Sequence, residues 1–200
     1  MIKTILLIFR PVPTWEKIAR EQRGVLFILA LVVLPLMAAA SVGEVYGLTH
    51  WSKHYRELGA ANTLPLATAI DYAVIQFLLS LFVLFCDAQV LKALGETFHS
   101  RHSYSRAFMT LAYSLGPLFL FRLSHSVPFL QWWMVWFAGI CLTLAVLYCG
   151  LVRVMQPDPT HALGLYFMTA GLLVVTTFLG QLVASLVLKS KLVVFAPLFR

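Results

Sequence analysis

Between Arg23 and Glu44 no charged side chain interrupts the chain, and positions 24–42 form one apolar run. Four more apolar runs follow at about 65–93, 106–122, 128–154 and 162–188. At about 1.5 Å per helical residue, about 20 apolar residues cross a hydrocarbon core about 30 Å thick. The pattern predicts an all-α, polytopic membrane helix bundle of five transmembrane helices. Pro35 is expected to kink the first. The third is the shortest, with an uncharged part of 107–121, and it reaches full length only if Arg106 and Arg122 snorkel. The fifth is long enough to need tilt. Its Gly180-x-x-x-Ala184 offers a small-residue packing face, as does Ala38-Ala39-Ala40-Ser41 on the first. No internal repeat is visible.

Residues 1–23 read as an arm that precedes the five-span domain, 24–200. The short apolar core Ile5 to Phe9 and the following Arg10-Pro11 do not suit a cleaved signal peptide. After Pro13, Thr14 reads as an N-cap with Glu16 in the first turn. Trp15, Ile18 and Ala19 then share a side, and Lys17, Arg20 and Arg23 reach headgroups. The expectation is a helix lying on the membrane surface with Trp15 as its interfacial anchor. Trp132 and Trp133, beside Trp136, are expected as anchors at the start of the fourth span.

Composition agrees with a bilayer protein: 60% of the residues are hydrophobic and 12% charged. Soluble domains carry about 25% charged residues. The net charge is +7. The basic residues flank apolar runs, so they predict orientation and contact with lipid headgroups, not a nucleic-acid partner. Lys3, Arg10, Lys17, Arg20, Arg23, Lys92, Arg101, Arg106 and Arg153 fall on the side of the N-terminus. Lys53, Arg56, Arg122, Lys189, Lys191 and Arg200 fall on the other. The balance predicts a cytoplasmic N-terminus and a C-terminus on the opposite face.

The order of features resembles the Yip1 domain family of five-span membrane proteins. The segment Arg10-Pro-Val-Pro-Thr-Trp-Glu-Lys-Ile-Ala-Arg is similar to that family's proline–tryptophan approach to the first span. Ser103-Tyr-Ser-Arg-Ala-Phe-Met-Thr-Leu-Ala-Tyr-Ser-Leu-Gly-Pro is similar to its third-span pattern. Val127-Pro128, Tyr148-Cys-Gly-Leu and the short loop before Ala162 continue the register. The resemblance implies five spans with a cytosolic N-terminus. Eukaryotic members act in vesicle traffic and bind Rab-type GTPases and one another, while bacterial-type members mostly lack an assigned activity. About 23 residues precede the first span here, which departs from members with long cytosolic N-terminal regions and weakens the GTPase expectation. A bacterial inner membrane is expected over a eukaryotic endomembrane.

Candidate chemistry is sparse. His50-x-x-x-His54 has a helical spacing, but Trp51 stands where a zinc protease needs Glu, and Glu57 is the nearest third donor. His99-x-x-His102 lies in a Ser/Arg-rich turn that suits anionic lipid. Cys86, Cys141 and Cys149 lie inside apolar runs and read as packing residues. His125 and Ser126 stand at a span end, where an intramembrane protease would want both inside. No catalytic residue, cofactor or metal is expected, and no small-molecule substrate.

Polar groups within spans remain: Asp71, Gln76 and Asp87 in the second and Gln181 in the fifth. Such groups are costly in lipid and raise a functional hypothesis. Asp71, Asp87, Arg106 and Arg122 are expected to be structural. Asp87 lies level with Arg106, and Asp71 with Arg122, across an antiparallel hairpin of the second and third spans. Both intervals are sixteen residues, which turn a helix by about 160°, so at most one pair is expected in direct contact, and the short connecting turn favours Asp87 with Arg106. The function expected is that of a non-catalytic protein acting through other membrane proteins, itself or lipid, for example as an accessory subunit. The alternative is a small transporter or channel built on the polar residues of the second and fifth spans.

Overall fold

The computed structural model describes residues 2–21, 23–50, 65–98, 103–126, 132–158 and 160–195. They form helices, with no strand among them. Four helices are long and apolar enough to cross a membrane: Val25–His50, Leu66–Thr97, Trp133–Met155 and Ala162–Val187.

The first of these comprises α3 (Val25–Ile28), a widened π-type turn (Leu29–Val33) and α4 (Leu34–His50). Pro35 explains the widened turn. It has no N–H for the carbonyl four residues back, and its ring crowds that carbonyl. The helix does not end near Val42 as the charge pattern predicts. It continues through Glu44 to His50, because nothing from Val45 to Leu48 breaks it.

The helix α5 (Leu66–Thr97) forms the second span, and α9 (Ala162–Phe195) packs along it. The helix α8 (Trp132–Gly150) continues through a second widened turn, Leu151–Met155. It stops at Gln156, which adopts a left-handed conformation ahead of Pro157.

The predicted third span is two helices, α6 (Tyr104–Ser114) and α7 (Gly116–Leu123), broken at Leu115. Pro117 cannot donate to the carbonyl of Tyr113, so the ladder fails where the break occurs. Every residue from Ala107 to Phe119 is buried. These two helices form the centre of the bundle, in contact with α3, α4, α5 and α8.

The arm departs from expectation. It consists of α1 (Ile2–Phe9) and α2 (Pro11–Glu21). Pro11 opens α2, where its missing N–H costs nothing. Thr14 is therefore inside the helix, and its hydroxyl donates to the Arg10 carbonyl. Trp15 is fully buried, so it anchors to protein and not to headgroups. Its Nε1–H donates to the Val146 carbonyl at 3.0 Å, and its ring stands edge-on to Tyr113. A Cβ on Gly150 would lie 2.6 Å from that ring, so only glycine admits it. Thr4 and Leu7 of α1 are buried too. Glu21 ties the arm's two ends, pairing with Lys3 and, at 2.7 Å, with Arg23. The Lys3 hydrogen bond holds the Glu21 carboxyl below the usual carboxylate range, with Arg23 adding to it.

Apolar side chains cover much of the outside. Leu26, Val42, Phe82, Phe137 and Phe167 are each at least 61% exposed. Cys86 and Cys141 face outward rather than packing in the core, and Cys149 is half-buried.

Candidate functional site

Along α5, Tyr72, Gln76, Ser80 and Asp87 follow one another at intervals of four, four and seven residues. Residues so spaced share one helical face. That face turns inward, and Tyr72, Gln76 and Asp87 are buried. The stripe extends about 22 Å along the helix. In an apolar medium each of these groups needs a partner, and three tiers of hydrogen bonds supply them.

The first tier joins α5 to α9. Gln76 donates from Nε2 to Gln181 Oε1 at 2.8 Å, and Gln181 donates from Nε2 to the Tyr72 hydroxyl at 3.3 Å. The second tier is ionic. Arg122, at the end of α7, donates from Nε to Glu44 Oε1 at 2.8 Å and from Nη2 to Glu44 Oε2 at 2.9 Å. Its Nη1 donates to Ser80 Oγ at 3.0 Å. The guanidinium is 9% exposed and the carboxylate 2%, so this is a bidentate pair in the interior. Gly43, next to Glu44, lets α4 approach α7 closely. A Cβ there would lie 3.1 Å from the Leu123 carbonyl oxygen. In the third tier, Thr176 of α9 donates to Asp87 Oδ2 at 2.8 Å.

A cavity of about 40 Å³ lies between the first two tiers and Thr176, lined by residues of α5, α7, α8 and α9 together with Leu115. A wider apolar groove of about 660 Å³ separates α4 from α5 on the outside, with Tyr46, Thr49 and His50 along it.

The polar column thus ties α4, α5, α7 and α9 together. The Yip1 domain model matches residues 5–188, from α1 into α9. The chain belongs to the Yip1 family. No curated protein and no solved structure matches it. In this Yip1 protein, positions 10–20 of the arm and the broken third segment, which carry the sequence resemblance, both fall inside the matched region.

The Yip1 fold rearranges the expected pairs. Arg122 pairs with Glu44, not Asp71, and Asp87 bonds to Thr176, not Arg106. Helical phase is the reason. Five residues place Asp71 about 140° around α5 from Gln76. Asp71 is accordingly exposed. Eleven residues bring Asp87 back to within about 20° of Gln76, toward α9. Arg106 is half-buried in the first turn of α6.

Glu44 was missed by sequence reasoning, as were Ser80 and Thr176. The available signal for Glu44 was the unbroken helical stretch beyond it. Trp133 is 52% exposed, as an interfacial residue can be, while the side chain of Trp132 lies outside the described set.

His50 stacks on Tyr46, with its Nδ1 beside the Thr49 hydroxyl. His54, Glu57, His99 and His102 lie outside the described residues. Among the described residues no group of three His, Cys, Asp or Glu could hold a metal ion. The Ser126 hydroxyl donates to the Leu123 and Gly43 carbonyls.

Proposed function

We propose that this Yip1 protein is non-catalytic and acts by associating with other integral membrane proteins, or with copies of itself, or by organising lipid. A concrete form is an accessory subunit of a larger membrane complex in a bacterial inner membrane. The observation that carries the reading is the Glu44–Arg122 pair. It sets two buried charges of the column against each other, with Ser80 on the arginine, and so holds α4, α5 and α7 together. The apolar exterior of α5, α8 and α9 supports it as well, since such faces suit lipid and partner helices alike.

The proposed topology has five crossings, with the N-terminus cytoplasmic and the C-terminus opposite. The third crossing is α6 and α7 together. Positions 104–123 are long enough, at about 30 Å, to traverse the hydrocarbon core. Being enclosed by protein, this segment can carry a break that lipid would not tolerate.

A second reading, a small transporter or channel, has one observation in its favour. The polar stripe of α5 faces polar positions Thr176 and Gln181 of α9 over much of the bundle's depth. Purification in gentle detergent with mass spectrometry of co-eluting chains tests the first reading. A stoichiometric membrane partner or a defined oligomer supports it, and a lone monodisperse chain overturns the accessory-subunit form. Cysteine labelling along α5 tests the second: water-soluble reagent reaching positions 76, 80 and 87 from both faces would favour transport.

A further inference from the structure

Two buried polar atoms beside the cavity lack hydrogen-bond partners: Gln76 Oε1 and Trp136 Nε1. The first is an acceptor and the second a donor. Gln76 is 5% exposed, and both residues line the cavity. Unsatisfied polar atoms in an apolar interior are strongly disfavoured, and native structures pair nearly all of them. The orientation of the Gln76 amide does not change the argument. One end meets Gln181, so the other end is left over whichever way the group is turned.

We propose that this cavity is a water-binding site, in which water bridges Gln76 to Trp136 inside the bundle. A cavity needs about 10–15 Å³ of water-accessible space to hold one molecule, along with two to four polar partners. The space here is about 40 Å³, so at least one water fits. Partners are at hand beyond the two unpaired atoms. Ser80, Arg122, Thr177 and Gln181 line the same walls. Their spare lone pairs and N–H groups can complete the coordination.

Water in this position does what no side chain there does. It satisfies the side chains of Gln76 and Trp136, and it adds α8 to a column that the Ser80 hydroxyl, donating to the Gln76 carbonyl and accepting from Arg122, already makes continuous from Tyr72 to Arg122. An acyl chain in the same space would leave both polar atoms unpaired, so the chemistry selects water over lipid.

The test is radiolytic hydroxyl labelling of the full chain in lipid nanodiscs, in water enriched in 18O. Radicals form from bound water and mark the side chains beside it. Trp136 should take up 18O, while Trp15 should remain at background, being fully buried with its N–H bonded to Val146. The variant Val83→Phe fills the cavity wall without removing a polar group and should abolish the Trp136 label. Gln76→Leu should lower it as well. Thermal melting of each variant shows whether it has folded. Trp136 labelled no faster than Trp15 in the unaltered chain would overturn the proposal. So would a Trp136 label that persists in folded Val83→Phe.

Discussion

Replacing Glu44 by Gln should be the most damaging single polar substitution in this Yip1 protein. The change removes the negative charge and turns one of the two acceptors, at 2.8 and 2.9 Å, into an NH2 donor facing the guanidinium, which stays in the interior with Ser80. Guanidinium cannot shed its proton, so no neutral form relieves it. Breaking one side of a buried pair costs about 3–5 kcal/mol. Arg122→Gln should cost less, because a carboxyl that loses its cation can take up a proton where a guanidinium cannot lose one. The double variant Glu44→Gln/Arg122→Gln removes both charges and should be less destabilised than Glu44→Gln alone. Ser80→Ala sets the scale for a polar contact without a second charge, where hydrogen bonds between membrane helices average about 0.6 kcal/mol. Unfolding in mixed micelles with increasing dodecyl sulfate, followed by circular dichroism, gives the four stabilities of the cycle. The reasoning requires a coupling energy well above the error of the cycle. Additivity within about 0.5 kcal/mol would refute a direct contact.

Three other outcomes follow from local geometry and a fourth from topology. Gly150→Ala pushes a methyl into the Trp15 ring and should destabilise by about 1–3 kcal/mol. Gly171→Ala, in open space on α9, should be neutral or stabilise by up to about 1 kcal/mol in the same detergent unfolding assay. The Glu21 carboxyl is held low by Lys3, so its contribution is full above its ordinary value of 4.5 and is lost as pH falls through the lowered one. Glu21→Gln should flatten that acid limb of a stability–pH profile, and an unchanged limb would contradict it. Reporter fusions beyond α9 should read as opposite to the N-terminus, whereas a shared side would mean that α6 and α7 do not cross.

Much of the architecture was legible because lipid makes hydropathy a strong signal. The runs at 24–42, 65–93, 128–154 and 162–188 each overlap one of the four long helices. The run at 106–122 also marks real helix, but its apolar residues meet protein on every side between Ala107 and Phe119. Hydropathy cannot distinguish a side chain facing lipid from one facing another helix, since both environments are apolar. The same ambiguity explains the arm. Trp15 has the sequence profile of a headgroup anchor, and only Gly150, 135 residues later in the chain, provides the space that buries it.

The polar column shows why depth alone was an insufficient guide. Pairing Asp87 with Arg106 and Asp71 with Arg122 matched their heights along a hairpin, and a turn of about 160° between them allowed only one direct pair, but hairpin spacing carries no rotation relative to the other helices. Rotation decides whether two residues at one height can touch. On α5 the phase separates Asp71 from the Tyr72–Gln76–Ser80–Asp87 stripe, and that stripe was readable from spacing alone. What spacing could not supply was the identity of the opposing residues, because Glu44, Arg122 and Gln181 come from three different helices. Those three converge only because α7 lies at the centre of the bundle and carries Arg122 at its end, between α4 and α5. Placement then selects Glu44 over Asp71 as the arginine's partner. Glu44 faces the bundle interior from α4, while the Asp71 carboxylate points away from it.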